Sequence, residues 1–317
     1  MELIRGIHNL RSEHHGCVLT IGNFDGVHLG HQAVLAQVKA QARALGVAAA
    51  VMTFEPQPQE IFQPEKAPAR LTNWREKYLA LRDQQIDRHL VIEFNRKFAS
   101  QPPIEFIENV LVEKLGVKFL VVGDDFRFGY KREGDFALLQ REGKRLGFEV
   151  VDTRSYRQQQ LRVSSTAIRA ALAEGDFERA ESMLGRPYQM MGKIVHGRKN
   201  GRTIGFPTAN IPLKRLKSPL HGVFAVKINV GRALGATTNS RAEGTYHGVA
   251  NLGTRPTLNG DEVQLEVHLF DFSGNLYGQH ATVTPVAKLR SEQRFASLEH
   301  LKQQIEKDAA RARALLS

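Results

Sequence analysis

Apolar positions in the first half of the chain alternate between two spacings. Short continuous apolar runs, typical of buried strands, lie at residues 18–21, 47–54, 119–122 and 148–151. Helical spacing appears at residues 31–45, from 72–74 onward, at 103–115 and 136–146, and in two short patterns at 165–172 and 177–184. Strands separated by helices indicate βαβ units. The first half is therefore predicted to be an α/β domain with a mostly parallel sheet.

The pattern changes near residues 185–187, and the second half alternates as strands do. Residues 222–230 and 263–270 are strand-like, and Gly, Asn and Asp separate such runs. No long helical pattern occurs before the one that begins at Phe295. This favours an antiparallel barrel or sandwich that ends in an amphipathic helix. Residues 234–244 are small and polar, so we expect a mobile loop there.

Composition restricts the class of protein. The 317 residues are enough for two domains, and the change of pattern places them at 1–185 and 186–317. Cys17 is the only cysteine, which excludes an intrachain disulfide and fits a reducing compartment. Since the sequence has neither a membrane-length apolar run nor a secretory signal pattern, we expect a cytoplasmic protein with no membrane partner. Composition does not indicate the oligomeric state.

The net charge of +11 predicts attraction to anions. Nucleic acids, membrane surfaces and phosphorylated small molecules all meet that description. However, the basic residues are scattered, and the chain has no RNP aromatic motif, zinc-ligand spacing or basic helix. Binding to nucleic acid is therefore the weaker interpretation, and we expect no nucleic-acid partner.

A glycine-rich segment, G-N-F-D-G-V-H-L-G-H at residues 22–31, directly follows the first predicted strand. Its candidate nucleotide contacts are Gly22, Asn23, Phe24, Asp25 and Gly30, and its candidate catalytic residues are His28 and His31. The glycine spacing matches neither a dinucleotide loop nor a P-loop. Even so, ligands bind at this edge of a parallel sheet, and a helix start offers N–H groups to phosphates. The alternative is that both histidines only cap the helix or lie on the surface.

The H-x-G-H pattern resembles the nucleotidyltransferase superfamily, whose members transfer a nucleoside monophosphate from ATP or CTP. Residues 164–169, S-S-T-A-I-R, are similar to a second element of that superfamily. The resemblance implies that Ser165 and Thr166 hold the ATP phosphates and that Arg169 assists catalysis. Alone, this element would be an ordinary helix cap. The segment around Asp125 resembles the prokaryotic FAD synthetases, which implies a polar contact from Asp125 to the nucleotide or flavin.

A second glycine-rich anion site is predicted in the second half. Its candidate nucleotide contacts are Gly192, Lys193, Gly197 and Gly205. Thr208 and Asn210 point to the same side of an extended chain, and their oxygens can hold a Mg²⁺ that ATP phosphates already coordinate. Glu266 lies on the polar face of a predicted strand, where a glutamate is usually only solvated.

These segments, together with residues 251–257, 268–272 and 276–278, resemble the riboflavin kinase family in order and spacing. The resemblance implies that Thr208 and Asn210 bind the metal–nucleotide and that Glu266 is the base for the ribityl hydroxyl. Both resemblances follow the domain order of the prokaryotic bifunctional riboflavin kinase/FAD synthetases. They imply a Rossmann-like nucleotidyltransferase domain, a β-barrel kinase domain, Mg²⁺ and ATP, and riboflavin, FMN and FAD as substrate, intermediate and product. A transferase for another phosphorylated metabolite or nicotinamide mononucleotide would leave the second half unexplained.

Overall fold

The computed structural model describes residues 1–153, 163–196, 206–231, 244–257 and 260–317, with the backbone alone for residues 255–257 and 260–262. Gly197, Gly205 and residues 234–243 of the predicted mobile loop lie outside the described residues. The chain groups into two compact units. One comprises Met1–Pro68 and Lys77–Ser164, and the other comprises Ala69–Glu76 and Ser165–Ser317. The domain boundary between residues 185 and 186 stays a prediction.

The first unit is built on a six-stranded sheet in which every neighbouring pair is parallel. Its strands are β1 (Glu2–Arg5), β2 (Cys17–Ile21), β3 (Ala48–Glu55), β4 (Arg88–Glu93), β5 (Val117–Val122) and β6 (Glu149–Asp152). They are arranged in the order β1-β4-β3-β2-β5-β6. The prediction of an α/β domain with a parallel sheet is confirmed.

Helices cover both faces of this sheet. They are α1 (Leu29–Leu45), α2 (Pro58–Phe62), α3 (Trp74–Asp83), α4 (Arg96–Ala99), α5 (Pro103–Glu105), which continues as a π-helix (Phe106–Lys114), and α6 (Phe136–Leu146). Short 3-10 turns occur at Ile7–Asn9, Ser12–His14, Pro64–Lys66 and Tyr130–Arg132. Leu35 and Val38 of α1 are buried against one face, and Ile107 and Leu111 of the π-helix are buried against the other. The division between the two units falls within α3.

The second unit contains a six-stranded antiparallel sheet. Its strands are β7 (Met190–Lys193), β8 (Ala209–Pro212), β9 (Gly222–Gly231), β10 (Gly244–Thr257), β11 (Gly260–Leu269) and β12 (His280–Arg290). In the order β7-β12-β9-β10-β11-β8, β7 and β8 form the two edges, and a single bridge between Val195 and Asn210 brings these edges together. The sheet is thus a nearly closed barrel, which decides between the barrel and the sandwich.

Among the described residues that follow Ser164, the second unit has the helices α7 (Ser165–Glu174), α8 (Phe177–Leu184) and the C-terminal α9 (Leu298–Leu316). Ala312 and Leu316 of α9 are buried against apolar residues of the barrel strands. The helix begins later than the predicted Phe295, because the side chain of Ser297 caps it by accepting a hydrogen bond from the backbone N–H of His300 at 3.2 Å. Within the described part of the chain, no helix is long and apolar enough to cross a membrane.

Candidate active sites

The glycine-rich turn between β2 and α1 contains residues with positive φ angles, which are uncommon for residues other than glycine. Phe24 and Val27 have positive φ angles of 46° and 42°, and Gly26 has a φ of 85°. The turn buries Phe24 and Asp25, whereas Asn23 stays exposed. The chain therefore reverses tightly at the carboxyl edge of the parallel sheet, where α/β folds bind ligands.

His28 and His31 form a stacked pair at the start of α1. Their ring centroids are 3.7 Å apart with an interplanar angle of 14°. His28 is also the N-cap of the helix, since its Nδ1 accepts a hydrogen bond from the backbone N–H of His31 at 3.3 Å. A neutral His28 ring whose Nδ1 is an acceptor carries its proton on Nε2. Capping and phosphate binding are therefore compatible roles, because the cap orients the Nε2–H donor.

Gly30 lies close to the ring of His28. A Cβ on Gly30 would lie 3.2 Å from Cε1 and Nδ1 of His28 and 3.6 Å from the carbonyl oxygen of Val163. Val163 immediately precedes the Ser164–Ser165 pair, so the chain reaches the turn just before this second predicted phosphate element. In the second unit, Ser165 is the first residue of α7, as the sequence predicted for a helix start.

Arg169 lies about one turn into α7. Its Nε donates a hydrogen bond to the backbone carbonyl of Ala69, within the same unit. Thr166 is exposed, and Arg169 is half-buried. Asp125, in the first unit, is exposed and folds back over Gly123, where an added Cβ would lie 2.7 Å from its Oδ1.

A row of phenylalanine rings follows the carboxyl edge of the parallel sheet. Successive centroids are 5.5–6.1 Å apart along Phe62, Phe94, Phe98, Phe106, Phe128 and Phe126, and Phe54 contacts the second and third members. Phe62 is 51% exposed at one end of the row. We call these seven residues the phenylalanine row. Sequence analysis missed it, because single phenylalanines after different strands share no fixed spacing.

In the second unit, the strand β7 carries Gly192 and Lys193 past the end of β8. A Cβ on Gly192 would lie 2.5 Å from Cγ2 of Ile211 and 2.9 Å from the carbonyl oxygen of Pro212, so this close approach requires glycine. Lys193 is exposed and pairs in register with His280 on β12. Burial lowers the pKa of the His280 imidazole, and Arg75, Lys193 and Lys214 lower it further. This end of β7 is therefore cationic, as an ATP phosphate site requires.

Two predicted kinase residues, Asn210 and Glu266, share one face of the barrel wall. Glu266 lies directly opposite Asn210 in the β11–β8 register, and side chains that face each other in this way are neighbours on one side of a sheet. Asn210 Oδ1 accepts a hydrogen bond from Gln264 Nε2 at 2.9 Å, and His268 contacts the carbonyl oxygen of Pro207 at 3.0 Å. Thr208 lies two residues before Asn210, whose Nδ2 donates a hydrogen bond to the Thr208 carbonyl oxygen at 3.4 Å. An amide and a carboxylate thus face each other, and Thr208 lies beside the amide.

A cavity of about 340 Å³ adjoins this group of residues. It is lined by Ile194, Pro207, Thr208, Ala209, Leu269, Phe272, Ser273, Gly274, Leu276 and Tyr277. The Tyr277 ring lies 3.7 Å from the ring of His196, which follows Lys193 along the chain. A cavity of this size, lined by apolar side chains together with polar groups such as those of Thr208, Ser273 and Tyr277, has room for a flat heteroaromatic ring.

Comparison with known proteins matches both halves of the chain. Residues 10–167 match the FAD synthetase family, and residues 184–316 match the riboflavin kinase family. The chain is 50% identical over 317 residues to the bifunctional riboflavin kinase/FMN adenylyltransferase of Haemophilus influenzae, with 100% of both chains covered. It is 51% identical over 314 residues to the protein of the same name from Escherichia coli K12, covering 99% of this chain and 97% of that relative. The chain belongs to the bifunctional riboflavin kinase/FMN adenylyltransferase family.

The protein is accordingly a riboflavin kinase and an FMN adenylyltransferase, as the sequence predicted. Its fold is also similar to a crystal structure from Streptococcus pneumoniae named a macrolide-efflux protein. That similarity has a TM-score of 0.72 and 27% sequence identity, and it covers 99% of each chain.

Within the riboflavin kinase/FMN adenylyltransferase, the predicted site residues fall into three groups. His28, His31 and Gly30 come together in the first unit. In the second unit Asn210 lies opposite Glu266 and donates a hydrogen bond to Thr208. Ser165, Thr166 and Arg169 belong to the second unit, at the start of α7. The roles of all these residues in binding and catalysis stay predictions.

Proposed function

We propose that this enzyme makes FAD from riboflavin in two ATP-consuming steps at two separate sites. The kinase step takes place beside the barrel strands β8 and β11, and the adenylyl transfer takes place at the glycine-rich turn before α1. The observation that carries the proposal is Glu266 directly opposite Asn210, beside a cavity lined by Thr208. This arrangement offers a base and oxygen ligands for a metal, and Thr208 links them to a cavity with room for a ring.

In the kinase step, Glu266 accepts the proton of the terminal ribityl hydroxyl of riboflavin. The freed oxygen forms a bond to the γ-phosphorus of ATP, the bond from that phosphorus to the bridging oxygen breaks, and ADP leaves. An alkyl hydroxyl is a poor nucleophile, so a positioned base accelerates the step by about 10²–10⁴-fold. Gly192 and Lys193 bind the phosphates, where the cationic end of β7 offsets their charge.

The donors at this site fit Mg²⁺, which prefers oxygen ligands and retains several of its own waters and substrate phosphate oxygens. The Thr208 hydroxyl and the Asn210 amide oxygen would hold the ion. Asn210 Oδ1 already accepts a hydrogen bond from Gln264, which fixes the orientation of the amide. When bound with ATP, Mg²⁺ supplies positive charge that stabilises the phosphoryl oxygens.

The adenylyl step does not require a general base. The phosphate of FMN is largely dianionic at neutral pH, because its second pKa is about 6. One of its oxygens forms a bond to the α-phosphorus of ATP, and pyrophosphate leaves. His28 and His31 donate hydrogen bonds to the phosphate oxygens, and the N–H groups at the start of α1 add positive partial charge. Gly22, Asn23, Phe24, Asp25, Gly30, Ser165, Thr166 and Arg169 are assigned to the nucleotide.

The phenylalanine row has buried members, namely Phe54, Phe106 and Phe128, and its remaining members give the flavin ring a surface at the same edge of the sheet. Aromatic rings stack face-to-face with an offset or edge-to-face, with centroids about 4.5–7 Å apart. Phe62 is the most accessible member, and Asp125 follows the neighbouring strand β5. We therefore assign the isoalloxazine ring of FMN to the row and a polar flavin or nucleotide contact to Asp125.

One incubation tests the proposed sequence of reactions. Purified protein with riboflavin, ATP and Mg²⁺ should form FMN first and FAD afterwards, as separated by chromatography. With FMN supplied in place of riboflavin, FAD should form without a lag. Folded protein that yields neither product would refute the proposal.

ATP and FMN are anions, and they account for the anion attraction expected from a net charge of +11. The proposed enzyme is cytoplasmic and binds no nucleic acid.

A further inference from the structure

The two edge strands of the barrel meet at a seam that the proposed ATP site straddles. We define the seam as β7 and β8 with the residues that join them. The backbone N–H of Val195 donates to the carbonyl oxygen of Asn210 at 2.9 Å, and Gly192 lies against Ile211 and Pro212. Gly192 and Lys193 lie on one side of the seam, and Asn210 lies on the other. The distance from Gly192 and Lys193, the proposed phosphate contacts, to Asn210, the proposed metal ligand, therefore depends on the contacts that keep β7 against β8.

Two residues from the segment Ala69–Glu76 form hydrogen bonds with the backbone of the seam. Asn73 Nδ2 donates to the carbonyl oxygen of Met191 on β7 at 3.4 Å and to that of Leu213, directly after β8, at 3.3 Å. Glu76 Oε1 accepts from the backbone N–H of Met191 at 2.7 Å. One amide thus bridges both edge strands, and one carboxylate fixes the strand that carries Gly192 and Lys193.

Asn73 and Glu76 are themselves held rigidly. Asn73 Oδ1 accepts from the backbone N–H of Glu76 at 3.0 Å, and Glu76 Oε2 accepts from that of Asn73 at 2.7 Å, which is a capping box at the start of α3. Arg215 Nη2 donates to both Glu76 oxygens at 2.9 and 2.7 Å, and the two side chains are 0% and 4% exposed. Arg215 Nη1 donates to the Tyr188 hydroxyl at 2.8 Å. Charge-assisted hydrogen bonds out of water leave this group little freedom.

We propose that Asn73 is a positioning residue of the riboflavin kinase reaction, which sets the placement of Gly192 and Lys193 relative to Asn210. The proposal rests on the assignment of those three residues to ATP and Mg²⁺ above. Asn73 itself is assigned no contact with substrate. Loosening the seam displaces β7 from β8 but leaves the pairing of Asn210 with Glu266 across β8 and β11. The effect should therefore fall on the binding of MgATP rather than on proton transfer at the ribityl hydroxyl.

The substitution Asn73→Ser separates positioning from helix capping. Serine is as good an N-cap as asparagine, so the start of α3 is retained, but both amide donors to the seam are lost. Each hydrogen bond contributes modestly, so together we expect the KM for MgATP in the kinase reaction to rise about tenfold. The kinase kcat at saturating MgATP, the KM for riboflavin and the conversion of supplied FMN to FAD should stay within about twofold of the parent values.

Asn95→Ser is the matched control. Asn95 caps α4 by accepting from the backbone N–H of Phe98 at 2.8 Å, so the same substitution is made at another helix start. It should leave the KM for MgATP unchanged. A KM for MgATP that stays at the parent value in Asn73→Ser, with or without a lower melting temperature, would overturn the positioning role.

Lys193→Met, measured in parallel, separates this proposal from the assignment of the ATP site. A raised KM for MgATP in Lys193→Met with a parent-like KM in Asn73→Ser overturns the positioning role alone. An unchanged KM in Lys193→Met overturns the placement of the ATP phosphates, and the positioning role with it. A raised KM for MgATP in both variants, with the kcat of Asn73→Ser retained, supports both.

Discussion

The first unit contains a buried histidine that should make this unit less stable in acid. His89 on β4 is 1% exposed, and its Nε2 lies 2.9 Å from the hydroxyl of Thr53, which is 2% exposed on the adjacent strand β3. Among the described residues, His89 Nδ1 has no hydrogen-bond partner. Burial lowers the pKa of His89 from 6.5 to about 3, and the nearby Lys77 ammonium adds to this shift. The folded protein therefore keeps the imidazole neutral.

The sign and size of the effect follow from proton linkage. Below the ordinary pKa of 6.5, an unfolded chain binds a proton at this histidine that the folded chain refuses until the pH approaches about 3. The contribution of the neutral His89 to the free energy of unfolding is fully present above pH 6.5. It is lost as the pH falls below that value, by about 1.4 kcal/mol per pH unit. Between about pH 8 and about pH 4.5 the first unit should lose about 3 kcal/mol through this one group.

The substitution His89→Gln tests this value, because a glutamine amide can reach the Thr53 hydroxyl but does not titrate. Thr53→Val is the matched control, since it removes the hydrogen bond and keeps the imidazole. Hydrogen exchange of β3 and β4 amides measures the opening free energy in the first unit, whereas fluorescence of Trp74, the only tryptophan, would report on the second. The parent and Thr53→Val should lose about 3 kcal/mol more than His89→Gln as the pH falls. Parallel pH profiles for the parent and His89→Gln would refute the reasoning.

Three further substitutions or truncations test the proposed sites. The double variant His28→Ala/His31→Ala should lose FAD formation by orders of magnitude while FMN formation persists, and equal loss of both would indicate misfolding. Glu266→Gln should slow FMN formation by about 10²–10⁴-fold and leave the conversion of supplied FMN to FAD intact. Near-normal kinase activity would mean that Glu266 is only a solvated strand residue. The fragment 186–317 should make FMN but not FAD and should be about 3–5 kcal/mol less stable, because buried Arg215 loses its partner Glu76. A fragment as stable as the barrel in the full chain, judged by hydrogen exchange, would contradict that last expectation.

The sequence predicted some strands far better than others, for a physical reason. Buried strands such as β2, β3 and β5 contact helices on both faces, so they are continuous apolar runs that stand out in the sequence. The edge strand β1 and its neighbour β4 were missed. Both are short, and charged residues lie at their ends, so their few apolar positions do not distinguish strand from helix.

The candidate sites show the same division between local and tertiary signals. The turn before α1 was predicted because glycines and histidines at fixed spacing form a local pattern. The close approach of the His28 ring to Gly30 was not predicted, because it depends on the folded turn rather than on residue spacing. The phenylalanine row joins residues after three different strands, so only the folded sheet brings them together.

The two compact units explain why a boundary taken from composition is an incomplete guide to what the kinase needs. All the kinase motifs lie after residue 186. Residues 73–76 have the sequence of an ordinary helix start, and α3 does begin there. The same Glu76 carboxylate that completes the capping box also receives Arg215, which lies 139 residues away along the chain. The sequence around Glu76 does not reveal this partner, because an arginine anywhere in the chain could pair with the carboxylate. Motifs mark the groups that handle ligands, whereas the residues that hold those groups in register carry only common local signatures. The fragment 186–317 keeps every motif and lacks Asn73 and Glu76, so its KM for MgATP measures the difference directly.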